Sequence, residues 1–236
     1  MLRKNLMIEK IPSILWGDES DRLFVAVHGN MSRKDDEVIA LFAEEAVNKG
    51  YRVLSFDLPE HGDRVNEDYP CMVWNCVSDL DSVMNYARTL SDKVSLFACS
   101  MGAYFSLLAY KGAPLKQSLF LSPVLDMERI ITNMMKWFDV SEERLKAEKE
   151  IPTPAGQTLY WDYYTYVKDH PVDSWEIPSA ILYGSDDNIT ETGVVSRFTE
   201  KNNCRLQVLE HGEHFFHTDE QLLCFRRWLR DNIMVY

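Results

Sequence analysis

Short apolar runs alternate with longer stretches of helical periodicity from about residue 23 to the end of the chain, and few architectures accept that pattern. Leu23-Phe24-Val25-Ala26-Val27 has no polar residue, so it reads as a strand buried on both faces. Arg52 to Phe56, Val94 to Ala98, Ser118 to Leu121, Ala180 to Tyr183 and Leu206 to Leu209 follow as further strands. Between them the apolar residues recur at helical spacing. From Asp35 to Asn48 they are Val38, Ile39, Leu41, Phe42 and Ala46, with Gly50 as the stop. Further helices are predicted over Val73 to Leu90, Met101 to Lys111 and Asp219 to Asn232, the last with Leu222, Phe225, Trp228 and Leu229 as its stripe. Such alternation predicts the α/β class, a mostly parallel central sheet with helices on both faces. Met7-Ile8 and Ile14-Leu15-Trp16, split by Pro12, predict an antiparallel hairpin at its edge.

One interval breaks the rhythm. Residues 122–179 show no clear strand but hold Met134, Met135, Trp137, Phe138, Tyr160, Trp161, Tyr163, Tyr164, Tyr166 and Trp175. A connection this long is usually functional or folded in its own right. It is read as a helical cap, residues 126–176, inserted over the strand ends of a single domain spanning residues 1–236. Its aromatic content suits an apolar acyl or aryl pocket, and equally suits the contacts that a cap needs to stay folded.

The remaining composition narrows the classes. A formal net charge of −12 repels phosphate backbones and anionic lipid, so no nucleic-acid partner is expected. No run approaches the ~20 apolar residues of a membrane span. The N-terminus turns to Glu9 and Lys10 before any leader-like apolar core forms. Five scattered cysteines without a Cys-x-x-Cys pair read as free thiols of a cytoplasmic protein. Oligomeric state is not legible.

The chemistry concentrates where a strand passes straight into a helix, at Ala98-Cys99-Ser100-Met101-Gly102. A sharp strand-to-helix turn crowds the positions two before and two after its central residue, and Ala98 and Gly102 are small enough for both. The helix start then offers the Met101 backbone N–H to a developing negative charge. A helix-capping serine is the alternative reading. Centring the turn on Cys99 would force Phe97 and Met101 into the crowded positions.

With its neighbours, this turn resembles the nucleophile elbow of the α/β-hydrolase superfamily, Ala98 standing for the first glycine of Gly-x-Ser-x-Gly. Val27-His28-Gly29-Asn30 resembles the family's oxyanion turn, and Asp57-Leu58-Pro59-Glu60-His61-Gly62 its Asp-x-Pro-Gly-His-Gly loop, with Glu60 in place of glycine. The likeness runs from about Leu23 to the C-terminus. It implies the α/β-hydrolase fold and a triad in the order serine, acid, histidine. Ser100 is then the nucleophile, His214 of Gly212-Glu213-His214-Phe215 the base, and Asp187 of Gly184-Ser185-Asp186-Asp187 the acid. Asp126 competes for the last role, since some relatives carry the acid after the earlier strand. The resemblance assigns the backbone N–H of Asn30 to the oxyanion hole beside that of Met101, and gives His28 and His61 loop-ordering roles. His211-x-x-His214-x-x-His217 could be read as a metal site, but no acidic motif elsewhere is tied to it, so no metal is expected.

What this implies is a serine hydrolase that cleaves an ester, thioester or small amide of a small-molecule acyl substrate, without a cofactor. An acyltransferase and a non-catalytic ligand-binding protein of the same fold stay open.

Overall fold

The computed structural model describes residues 1–172 and 174–236; position 173, inside the interval expected to form the cap, lies outside the described residues. Eight strands form one sheet. In chain order they are β1 (Arg3–Ile8), β2 (Ile11–Trp16), β3 (Arg22–Val27), β4 (Arg52–Phe56), β5 (Lys93–Cys99), β6 (Ser118–Leu121), β9 (Ser179–Gly184) and β10 (Arg205–Leu209). Their spatial order is β1-β2-β4-β3-β5-β6-β9-β10. The β1–β2 hairpin and the β2–β4 pair are antiparallel and the other pairs parallel, so the edge hairpin expected around Pro12 is present.

Side chains alternate across β3, and each set meets its own layer of helices. Leu23, Val25 and Val27 join the core beneath α2 (Val73–Leu90) and α3 (Ser100–Ala109). Phe24 and Ala26 join the opposite core beneath α1 (Glu37–Asn48) and α8 (Asp219–Asn232). All five are 0% exposed, which is why the run carries no polar residue. Phe42 of α1 stacks on Phe97 of β5 at 4.0 Å between ring centroids, and Phe225 of α8 lies 5.8 Å from the same ring. Helix α8 begins on a reciprocal capping box between Thr218 and Gln221. The last strand, β10, has exposed Leu206 and Val208 because it forms the far edge.

Between β6 and β9 the chain builds α4 (Met127–Trp137), α5 (Glu142–Glu148) and α6 (Trp161–Asp169). The expectation of no strand here is corrected. Glu150–Pro152 (β7) and Thr158–Tyr160 (β8) pair antiparallel, with Ile151 opposite Leu159, both buried. Three residues a side are too few to show a two-residue period, and the two prolines mask the remainder. Trp175 closes the insertion, its indole N–H shared between the hydroxyls of Ser118 (3.2 Å) and Ser179 (3.1 Å) at the base of the sheet. After β9 comes α7 (Thr192–Asn202). No described helix is long and apolar enough to cross a membrane.

Candidate active site

β5 delivers Ser100 at the carboxyl edge of the sheet, in a left-handed backbone conformation of φ 47°. A non-glycine residue there is strained, and such strain gathers at functional positions. The crowding that the elbow requires is explicit. A Cβ on Gly102 would lie 2.2 Å from the His28 carbonyl oxygen, and one on Gly29 would lie 3.0 Å from the Ser100 Cβ. Two glycines thus let the β3 turn and the first turn of α3 close around the serine.

The histidine arrives on the loop after β10. A Cβ on Gly184 would lie 2.2 Å from the Gly212 carbonyl oxygen, so the backbone at the end of β9 touches this loop directly. The Asp186 N–H donates to the same carbonyl at 2.8 Å. Phe216, 2% exposed, anchors the loop beyond it. His214 Nε2 lies 2.8 Å from Ser100 Oγ, and His214 Nδ1 lies 2.7 Å from Asp187 Oδ2. The Asp187 carboxylate is fully buried; its Oδ1 accepts the backbone N–H groups of Ile189 (2.8 Å) and Thr190 (2.9 Å). With Nδ1–H donating to this carboxylate, Nε2 presents its lone pair to the Ser100 hydroxyl.

Asp126 stands elsewhere. Its carboxylate caps α4, accepting the Arg129 N–H at 2.9 Å. Both ring nitrogens of His214 are taken by Ser100 and Asp187, while His211 and His217 lie exposed beside Asp186 and Glu213.

The turn after β3 is held by buried polar groups. His28 accepts the Leu58 N–H on Nε2 at 3.0 Å and donates from Nδ1 to the Gly29 carbonyl at 2.7 Å. Complete burial lowers its pKa to about 4, so it orders the loop as a neutral ring. The Asn30 Oδ1 accepts from His61 Nε2 at 3.1 Å, which ties the β3 turn to the loop after β4. Burial works against the charged form of His61, but contacts to Cys71 and the Pro59 carbonyl outweigh it and raise its pKa. Glu60, where the resemblance expects glycine, keeps the left-handed backbone at φ 61°, and its Oε2 accepts the Cys71 N–H at 2.7 Å.

Beneath this loop Asp57 is 0% exposed and accepts from the Lys34 Nζ (2.6 Å), the Lys34 N–H (2.8 Å) and the Asp63 N–H (2.9 Å). Removing the cation would leave a carboxylate buried and unpaired. Lys34→Met is therefore expected to lower unfolding free energy by about 3–5 kcal/mol, read from urea denaturation midpoints.

Ser100 and His214 open into a cavity of about 670 Å³, whose apolar wall includes Met31, Val38, Leu121, Ile189, Phe215 and Phe216. These residues come from the first turn of α1, the end of β6 and loops at the sheet edge, not from the insertion. The insertion's aromatics pack instead: Tyr164 and Trp175 are buried in the core beneath α2 and α3, and Trp161, Tyr163 and Tyr166 lie against it. Two cavity residues, Asp36 and Ser122, carry no motif and are invisible to sequence reading.

The alpha/beta hydrolase family model matches residues 24–224. Est1E from Butyrivibrio proteoclasticus, solved with ferulic acid bound, is 17% identical with a TM-score of 0.78, over 97% of this chain and 96% of that one. Alpha/beta hydrolase domain-containing protein 10 from mouse is 13% identical with a TM-score of 0.77, over 99% and 98%. The thioesterase domain from the curacin biosynthetic pathway is 16% identical with a TM-score of 0.59, over 97% and 99%. Identities this low speak to the shared fold alone. No curated protein matches the sequence.

Proposed function

Because this chain belongs to the alpha/beta hydrolase family, we propose that it is a serine hydrolase cleaving a carboxylic ester through an acyl-enzyme on Ser100. The observation that carries the reading is the continuous relay Ser100 Oγ–His214 Nε2 (2.8 Å) and His214 Nδ1–Asp187 Oδ2 (2.7 Å). Serine is inert near neutral pH without such a base. In the acylation step Ser100 Oγ bonds to the substrate carbonyl carbon as its proton passes to His214 Nε2. Asp187 stabilises the imidazolium, and the oxyanion rests on the N–H groups of Met101 and Asn30. The carbon–alkoxy bond then breaks, and the alcohol leaves with the proton from His214. Water, activated by the same imidazole, displaces Ser100 Oγ and releases the acid.

Est1E, with ferulic acid bound, and the curacin thioesterase domain support this class of chemistry by their likeness of fold. The substrate is a small molecule, the chemistry needs no cofactor, and residues 126–176 act as a cap on a single domain. The five cysteines, all free thiols, fit a cytoplasmic setting. Stopped-flow hydrolysis of p-nitrophenyl butyrate tests the reading. A burst of p-nitrophenol matching the enzyme concentration, absent in Ser100→Ala, is expected; equal turnover in the two proteins refutes it.

A further inference from the structure

Two neighbouring strands end on serines held in the same unusual conformation. β5 and β6 pair with Cys99 opposite Leu121. The next residue on each strand, Ser100 and Ser122, is left-handed, with φ 47° and 43°. Ser122 lines the same cavity as Ser100. It is 1% exposed, yet its Oγ has no hydrogen-bond partner among the described residues. The backbone around it is occupied: the Ser122 N–H donates to Leu182 O at 2.9 Å, and the Val124 N–H donates to Ser100 O at 3.0 Å. Ser95 Oγ and Tyr104 OH are also buried without a partner among the described residues, but of the three only Ser122 lines the cavity of the nucleophile, where a substrate can supply the missing partner.

The charges in the cavity have one sign. Asp36 enters from the start of α1, where Oδ1 caps the helix through the Ile39 N–H at 2.9 Å and Oδ2 accepts from the Ser32 hydroxyl. Burial raises its pKa to about 6, which leaves it ionised in mildly alkaline buffer. Asp186 and Glu213 also line the cavity, and no lysine or arginine does among the described residues. An anionic acyl or leaving group would meet no cation there and would face a carboxylate through a partly desolvated medium.

We propose that this cavity selects esters without negative charge, the Ser122 hydroxyl donating to an oxygen of the substrate and the Asp36 carboxylate excluding anionic analogues. The proposal rests on Ser100 being the nucleophile. It favours neutral esters carrying an ether, hydroxyl or carbonyl oxygen beyond the scissile bond.

The test compares kcat/KM for isosteric ester pairs at about pH 8. For charge, p-nitrophenyl 4-methylpentanoate is set against p-nitrophenyl hemisuccinate, each corrected for its rate without enzyme. The parent is expected to prefer the neutral ester by at least about tenfold, and Asp36→Asn to shrink that ratio by about tenfold. Asparagine caps helices as well as aspartate, so the fold is retained. For the hydroxyl, p-nitrophenyl methoxyacetate is set against p-nitrophenyl butyrate, and 2-methoxyethyl acetate against butyl acetate. Ser122→Ala is expected to lower the oxygenated member relative to its isostere about tenfold in at least one pair, with no loss of melting temperature. A ratio untouched by either variant overturns the proposal, as does a melting temperature that falls in Ser122→Ala, which marks a structural hydroxyl. Fluorophosphonate labelling separates the two levels: a parent that fails to label refutes the nucleophile itself, whereas one that labels but shows no discrimination refutes only this selection.

Discussion

His214→Ala is expected to lower ester turnover by a factor on the order of 10⁶, the loss seen when the base of a well-studied triad is removed. The size follows from the geometry. Among the described residues Ser100 Oγ has one base within hydrogen-bond reach, His214 Nε2 at 2.8 Å, and without it the hydroxyl must ionise in water. His214 sits on the loop between β10 and α8, where Gly212 and Phe216 hold the backbone, so the variant should keep the parent's circular dichroism and melting temperature. Initial rates on p-nitrophenyl butyrate decide the matter. Activity within tenfold of the parent would mean that another group takes the serine proton.

Asp187→Asn is expected to cost on the order of 10⁴ in kcat. The buried carboxylate accepts three hydrogen bonds, from Ile189 N, Thr190 N and His214 Nδ1. An amide of the same shape keeps the backbone contacts but can present an N–H to the ring, which turns Nε2 from acceptor into donor. The serine then faces a proton instead of a lone pair. Asp126→Asn serves as the comparison, since that residue caps α4 and asparagine caps equally well; its kcat should stay within a fewfold of the parent. A large loss in Asp126→Asn with little in Asp187→Asn would reverse the assignment.

Much of this architecture is legible without coordinates, for a physical reason. β3, α2 and α8 each bury a continuous face, so their apolar spacing mirrors their environment, and the expected ranges of α2 and α8 coincide with those observed. The elbow is legible because crowding at Gly102 and complete burial at Ala98 restrict residue size whatever the rest of the chain does. The resemblance to the family's motifs implies Ser100, Asp187 and His214, and the fold brings these three within hydrogen-bond distance.

Other features depend on contacts between distant segments. The β7–β8 hairpin is too short to have a period. The insertion's aromatic residues suit a pocket and a packed cap equally well by composition; that Tyr164 and Trp175 are buried in the core with α2 and α3, and do not line the cavity at Ser100, is a tertiary fact. Asp36 looks like an ordinary helix cap, and Ser122 like any residue after a strand. Their place in the cavity appears only once β3, β5 and β6 are aligned and α1 packs on the face of the sheet.

The most direct measurement is intact-protein mass spectrometry after exposure to a fluorophosphonate, followed by peptide mapping. One adduct per chain is expected, located on Ser100 and missing from Ser100→Ala. A parent that stays unmodified, or an adduct that persists in Ser100→Ala, would contradict the assignment of this hydroxyl as the nucleophile.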